Sequence, residues 1–161
     1  MIDEIDQKIL DLLQKDARLS NADIGKEVGL NASSVFERVK KLERKGIITG
    51  YVATVDAEKI GKPMLAFMRI NVDTDTMKNF DTAKIDIEQA VIQDRDILEC
   101  HHVAGEDCYI LKLRANGPKE LEQIISRVRS IIHGARSVTS IVLSTYKESS
   151  KVEVFVADDE E

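Results

Sequence analysis

Ser20-Asn21-Ala22-Asp23-Ile24-Gly25-Lys26-Glu27-Val28-Gly29-Leu30-Asn31-Ala32-Ser33-Ser34-Val35-Phe36-Glu37-Arg38-Val39-Lys40-Lys41-Leu42-Glu43-Arg44-Lys45-Gly46 holds two helical patterns with almost nothing between them. Ser20 followed by Asp23 is a capping-box-like start, in which each side chain can serve a free backbone N–H. Ile24 and Val28 give the first helix its apolar stripe. Gly29 is a good stop, because glycine takes the left-handed conformation cheaply. Asn31 can cap the second helix, whose buried side is Ala32, Val35, Val39 and Leu42 before Gly46 ends it. Two short helices joined by a three-residue turn containing Gly form a helix-turn-helix.

The far side of the second helix carries Ser33, Glu37, Lys40, Lys41 and Arg44, with Ser34 and Arg38 flanking. Small polar residues near a helix N-terminus let it enter a major groove closely, and cationic ones further along suit phosphate oxygens. A solvated helix face would also be polar and rich in Lys. The residues expected to contact double-stranded DNA are Asn31, Ser33, Ser34, Glu37, Arg38, Lys40, Lys41 and Arg44. Among them Arg38 is a candidate for guanine, although its place beside the apolar stripe also suits a tie to neighbouring helices. Lys40, Lys41 and Arg44 read as phosphate contacts. Glu37 can accept from cytosine N4, and a pair with Lys41 at i,i+4 is its more common use. Phe36 borders the stripe and is read as core, with contact to a thymine methyl as the second reading.

The 161 residues carry a net charge of −6, yet residues 31 to 50 balance to +3, which leaves −9 elsewhere. An acidic body with one basic helix argues against indiscriminate binding of polyanions and for a single docking face. Aromatics are scarce and Trp is absent. Cys100 and Cys108 fall far short of a disulfide framework. No apolar run is long enough to cross a bilayer, and no charged-apolar-small leader opens the chain. A cytoplasmic protein is the expectation.

Upstream, Asp3 and Asp6 can cap a first helix with Ile5, Ile9, Leu12 and Leu13 on one side, completing a three-helix bundle. Ile47 to Val55 is β-branched and reads as a strand or wing. Gly61 and Pro63 mark a linker over 57–63. The second half changes rhythm. Strands are expected at 64–73, 97–104, 108–115 and 138–146, with helices at 76–93 and after Gly117-Pro118. The hairpin turn is Gly105-Glu106-Asp107. The order β-α-β-β-α-β is a ferredoxin-like split βαβ. The fold class is therefore α+β, with a winged helix-turn-helix domain over 1–56 and a ferredoxin-like domain over 64–148. An acidic tail follows over 149–161, and its last four residues, Asp158-Asp159-Glu160-Glu161, are expected to be disordered.

The succession Asp3-x-x-Asp6-x-x-Ile9-Leu10-x-x-Leu13, Leu19-Ser20-Asn21-x-x-Ile24-Gly25 and Val35-x-x-Arg38-Val39-x-x-Leu42-Glu43-x-x-Gly46-Ile47-Ile48-x-Gly50-Tyr51 is specific in combination. With Val103-x-Gly105 before a strand and Gly134 before the last one, the chain resembles the Lrp/AsnC (feast/famine) transcription regulators from about residue 2 to about residue 148. The resemblance implies a homodimer that can gather into octamers, with sensing domains paired sheet against sheet. It also implies a small-molecule effector, an amino acid or a related compound, bound between dimers near the hairpin turn. Carried over, that site is Gly105, Glu106, Asp107 and Cys108 with Ser137, Thr139 and Ser140. The family's turn reads Gly-x-x-Asp-Tyr. Here Cys108 stands where that Asp belongs and Asp107 lies one position earlier, where a strand presents the opposite face. An α-amino acid needs an acceptor for its ammonium, which Glu106 and Asp107 offer, and donors for its carboxylate, which backbone N–H groups at a Gly turn offer.

Cys100, His101, His102 and Cys108 invite a metal reading. Alternation puts Cys100 and His102 on one face and His101 on the other, short of the four ligands structural zinc prefers. No metal, no cofactor and no catalytic residue is expected. The alternative function is a haem-pathway decarboxylase of similar two-part architecture, with His101 and His102 in acid–base roles. The scarcity of aromatics and the cationic helix face weigh against it. The last strand and the hairpin are apolar on both sides, and such sheets need cover on both. A second copy would provide it.

Overall fold

The computed structural model describes residues 2–71, 91, 93–131 and 135–156. It divides into two compact units, one of Met1–Thr54 with Lys147–Glu161 and the other of Val55–Tyr146.

In the first unit, α1 (Glu4–Lys15) begins with a reciprocal box. The Asp6 amide donates to Asp3 Oδ1 at 2.8 Å, and the Asp3 amide to Asp6 Oδ2 at 3.5 Å. The next helix, α2 (Asn21–Val28), starts at Ser20, whose Oγ accepts from the Asp23 amide at 3.1 Å. It stops at Gly29, which sits at φ 72°, where a β-carbon would be strained. Gly25 meets a different demand. The Leu30 amide folds back onto its carbonyl at 2.9 Å, and a β-carbon there would run into the Leu30 oxygen. That close approach makes the turn short enough for α3 (Ala32–Arg44) to start at once. Ile9, Leu10, Ile24, Val35 and Leu42 form the buried core of the three helices.

One feature departs from expectation. Residues 47–55 continue as irregular chain without strand pairing, pinned where the Tyr51 hydroxyl donates to Glu43 Oε1 at 3.1 Å. Residues 152–154, ahead of the acidic end, are held to α1. The Gln14 side chain accepts from the Val152 amide at 2.8 Å and donates to the Val152 carbonyl at 2.9 Å, while Gln7 Nε2 donates to the Val154 carbonyl at 2.6 Å. Val154 packs against the helical core. Gln amides can satisfy an extended backbone as a neighbouring strand would. The acidic residues 158–161 lie outside the described residues.

The second unit is a four-stranded antiparallel sheet in the order β2-β3-β1-β4. The strands are β1 (Met64–Asn71), β2 (Ile97–His102), β3 (Tyr109–Ala115) and β4 (Arg136–Ile141). One helix, α4 (Pro118–Ile131), is described along its length, and Pro118 at its first position needs no amide partner. It packs Leu121, Ile124 and Val128 against Ala66, Met68, Ile70, Leu111 and Leu113. The helix expected at 76–93 falls for most of its length outside the described residues. The last strand corrects the sequence reading. It runs 136–141 rather than 138–146, closed by the Val142 amide on the Leu65 carbonyl at 2.8 Å. Leu143 and Tyr146 beyond it are 95% and 98% exposed, so Tyr146 joins no sheet face.

The linker end is anchored within this unit. Lys62 Nζ lies 2.8 Å from Asp96 and 2.7 Å from Glu120, and Arg127 meets Asp94 at 2.9 Å and Asp96 at 3.0 Å. Lys62 first, then Arg127, holds the Asp96 carboxyl below the usual carboxylate range.

Candidate nucleic-acid interface and effector turn

Six residues of α3 are exposed along one stripe: Ser33, Phe36, Glu37, Lys40, Lys41 and Arg44. Their spacing of three and four residues is the helical repeat seen from the solvent side. Lys41 and Arg44 make no ion pair among the described residues, and both lie in the last turn, where free cations can meet phosphates. Lys40 is partly committed, bridging to Glu43 at 2.8 Å and lying 5.8 Å from the Phe36 ring centroid. Glu37 does not pair with Lys41 among the described residues, so the common i,i+4 explanation for it does not apply. Glu37 is exposed on the same stripe as Ser33 and Lys40.

Two of the expected contacts, Arg38 and Asn31, are engaged within the domain, and Phe36 is not where it was expected. Arg38 turns away from the stripe. Its Nη1 lies 2.6 Å from Asp3 and 2.7 Å from Asp6, and the Asp6 side chain is only 2% exposed. These contacts tie α3 to the start of α1, the second of the two uses expected of it. The Asp3 hydrogen bond, then Asp6, raises the guanidinium pKa further. Asn31 uses its Oδ1 on the Ser34 amide at 2.8 Å and the Ser33 hydroxyl at 2.7 Å, which makes it a helix cap. Phe36 is 45% exposed and outside the core, contrary to the reading of it as buried.

In the second unit, the Cys108 amide donates to the Ile70 carbonyl at 2.8 Å, bringing the turn 105–108 against the end of β1. Asp107 faces Arg69 Nη1 at 3.5 Å, and Asn71 Nδ2 donates to the Glu106 carbonyl. Arg69 and Asn71 were missed in the sequence. Their alternation with Phe67 in β1 is the signal that could have put them on one face of the strand, though not beside the turn. Ser137 stands opposite Ile70 on the other side, so it shares an end of the sheet with the turn. Arg129 Nε donates to its Oγ at 2.9 Å. Thr139, on the same sheet side as Ser137, lines an open groove of about 410 Å³ with Leu121, Ile125, Arg129 and Ile141. Ser140 pairs with Phe67 and lies on the opposite face, so the three hydroxyls do not form one set.

His101 Nε2 lies 3.3 Å from Glu99, and the His102 ring packs 5.0 Å from Tyr109. No three of His, Cys, Asp and Glu converge as metal ligands among the described residues. No helix among them is long and apolar enough to cross a membrane.

Residues 2–49 match the family model for winged helix-turn-helix DNA-binding domains, and residues 65–152 match that for the Lrp/AsnC ligand binding domain. The chain belongs to the Lrp/AsnC family. The leucine-responsive regulatory protein of Escherichia coli K12 is 32% identical over 155 residues, 94% of this chain and 90% of that protein. A transcriptional regulator from Neisseria meningitidis, solved as its L-Met complex, superposes with a TM-score of 0.84 at 26% identity. The match covers 94% of this chain and 96% of that one. The feast or famine regulatory protein of M. tuberculosis, complexed with L-methionine, gives 0.81 at 27% identity, covering 96% and 100%. This Lrp/AsnC protein is thus a transcriptional regulator with a DNA-binding and a ligand-binding domain. The decarboxylase reading is set aside, since its relatives are named regulators.

Proposed function

We propose that this Lrp/AsnC regulator reads specific double-stranded DNA in the cytoplasm as a homodimer and changes its binding when a small amine-bearing metabolite, an amino acid, reaches the turn 105–108. One observation carries the DNA half. Lys41 and Arg44 lie on a continuous exposed stripe of α3, with small Ser33 at the groove-entering end. The domain limits that fit this division of labour are 1–56 for reading, 57–63 for linking, 64–148 for sensing and 149–161 for the tail.

The open face of the sheet supports dimerisation. The face away from α4 presents Phe67 at 37% and Val138 at 48% exposure, beside half-buried Ile110 and Val142. A second sheet stacked on it would cover this area, and gathering of dimers into octamers would bring turns 105–108 to a shared surface. For the effector, the exposed Glu106 carboxylate is the acceptor offered to an ammonium. Asp107 is already turned toward Arg69, and Cys108 supplies no carboxylate. The L-Met complexes of the Neisseria and mycobacterial proteins favour an amino acid. Calorimetric titration with each standard amino acid is expected to give saturable heat with at least one, reduced at least ten-fold in affinity by Glu106→Gln. No heat with any of them would count against the sensing role.

A further inference from the structure

We infer that Phe36 is a specificity-determining residue that reads the C5-methyl group of a thymine in the major groove. The inference rests on α3 being the reading helix, as proposed above. Phe36 is 45% exposed, while its neighbour Val35 is fully buried and Leu42 nearly so; the core is filled without it. It lies one turn from Ser33 and one turn from Lys40, on the stripe that would face DNA. Its companions on that stripe are Ser33, Glu37, Lys40, Lys41 and Arg44, and the remaining exposed residue of α3, Ala32, is small. A protein-docking surface would gather several large apolar side chains. A single ring set among cations instead matches a groove walled by phosphates. In that groove the C5-methyl of thymine is the apolar group that a base edge presents. Lys40, 5.8 Å from the ring centroid, limits the ring's freedom before DNA arrives. Glu37 beside it can take the amino group of a neighbouring cytosine.

Shielding one methyl from water corresponds to about a four-fold change in affinity, and two half-sites together to about fifteen-fold. The same chemistry exists on 5-methylcytosine, so the test separates the sources. A genomic fragment selected by the intact protein is remade with deoxyuridine in place of each thymine in turn, which removes only the methyl. The wild-type chain is expected to lose about four-fold at one thymine per half-site. Phe36→Ala, whose melting temperature should match the wild type because the ring is outside the core, is expected to bind both forms equally. Phe36→Leu should keep part of the preference. If the wild type and Phe36→Ala lose the same factor at every thymine, the assignment is overturned. If uridine is silent and 5-methylcytosine strengthens only the wild type, thymine is overturned as the source. A protein that selects no fragment overturns the DNA reading itself, and this inference falls with it.

Discussion

Arg38→Leu is expected to unfold the helical unit at temperatures where the sensing unit stays folded. Arg38 Nη1 meets Asp6 at 2.7 Å, and the Asp6 side chain is 2% exposed. Removing the cation leaves a carboxylate in the protein interior with its counter-charge gone, a change that costs about 3–5 kcal/mol in comparable buried pairs. Small domains hold about 5–15 kcal/mol of stability in all, so most of the margin disappears. The measurement is residue-resolved hydrogen exchange. Amides of α1 and α3 should exchange at least a hundred-fold faster, and those of β1 and β3 at unchanged rates. A pure DNA contact would behave in the opposite way, lowering operator affinity with no change in exchange.

The same tie gives the helical unit an acid sensitivity with a definite sign. The Arg38 hydrogen bond, helped by the Asp6 amide, holds the Asp3 carboxyl below its usual range. A carboxyl depressed on folding contributes stability that is fully present above its unfolded value and is lost as pH falls through the folded one. The wild-type unit should therefore be level from neutral pH down to about pH 4 and weaken below it. Arg38→Leu should lack much of that acid limb.

The second large effect concerns the open sheet face. Phe67→Glu is expected to convert the dimer to a monomer at micromolar concentration, because it places a charge at the centre of the proposed sheet-to-sheet contact. Phe67 is 37% exposed in the single chain, so the substitution should leave the fold of the unit intact. Operator affinity should then fall by a factor on the order of a hundred or more, since the second reading helix no longer binds as part of one particle. Sedimentation equilibrium together with operator binding reads both quantities. A variant that remains dimeric would move the interface elsewhere on the sensing unit.

How far the sequence could be read follows from how local each cause is. The three helices of the first unit were legible because their signals lie within a few residues: Asp3 with Asp6, Ser20 with Asp23, and Gly29 after Val28. The fate of Arg38 was only half legible: its place beside the stripe suited a tie, but the partners that fix it are 35 and 32 residues away. The end of β4 was misjudged for a related reason. The alternation Val138, Ser140, Val142 runs on with no local mark of an end, whereas the pairing with β1 closes where the Val142 amide meets the Leu65 carbonyl. Phe36 was placed in the core because it borders the apolar stripe, although its phase with Ser33 and Lys40 pointed outward. At the sensing end the turn was found, while Arg69, Asn71 and Arg129 needed the register of three strands and a helix to be known. The hold of Gln7 and Gln14 on residues 152–154 has no sequence signal of its own, since amide side chains reading a backbone show no pattern.

The account stands on paired α3 helices reading DNA, and quantitative footprinting on selected genomic fragments, with salt titration, tests this most directly. The expected result is two protected half-sites about 10–10.5 base pairs apart in a near-palindrome. The magnitude of the slope of log affinity against log salt should fall by about 1 per engaged chain in Lys41→Ala. Fragments held no more tightly than bulk DNA, or a slope unchanged by Lys41→Ala and Arg44→Ala together, would contradict it.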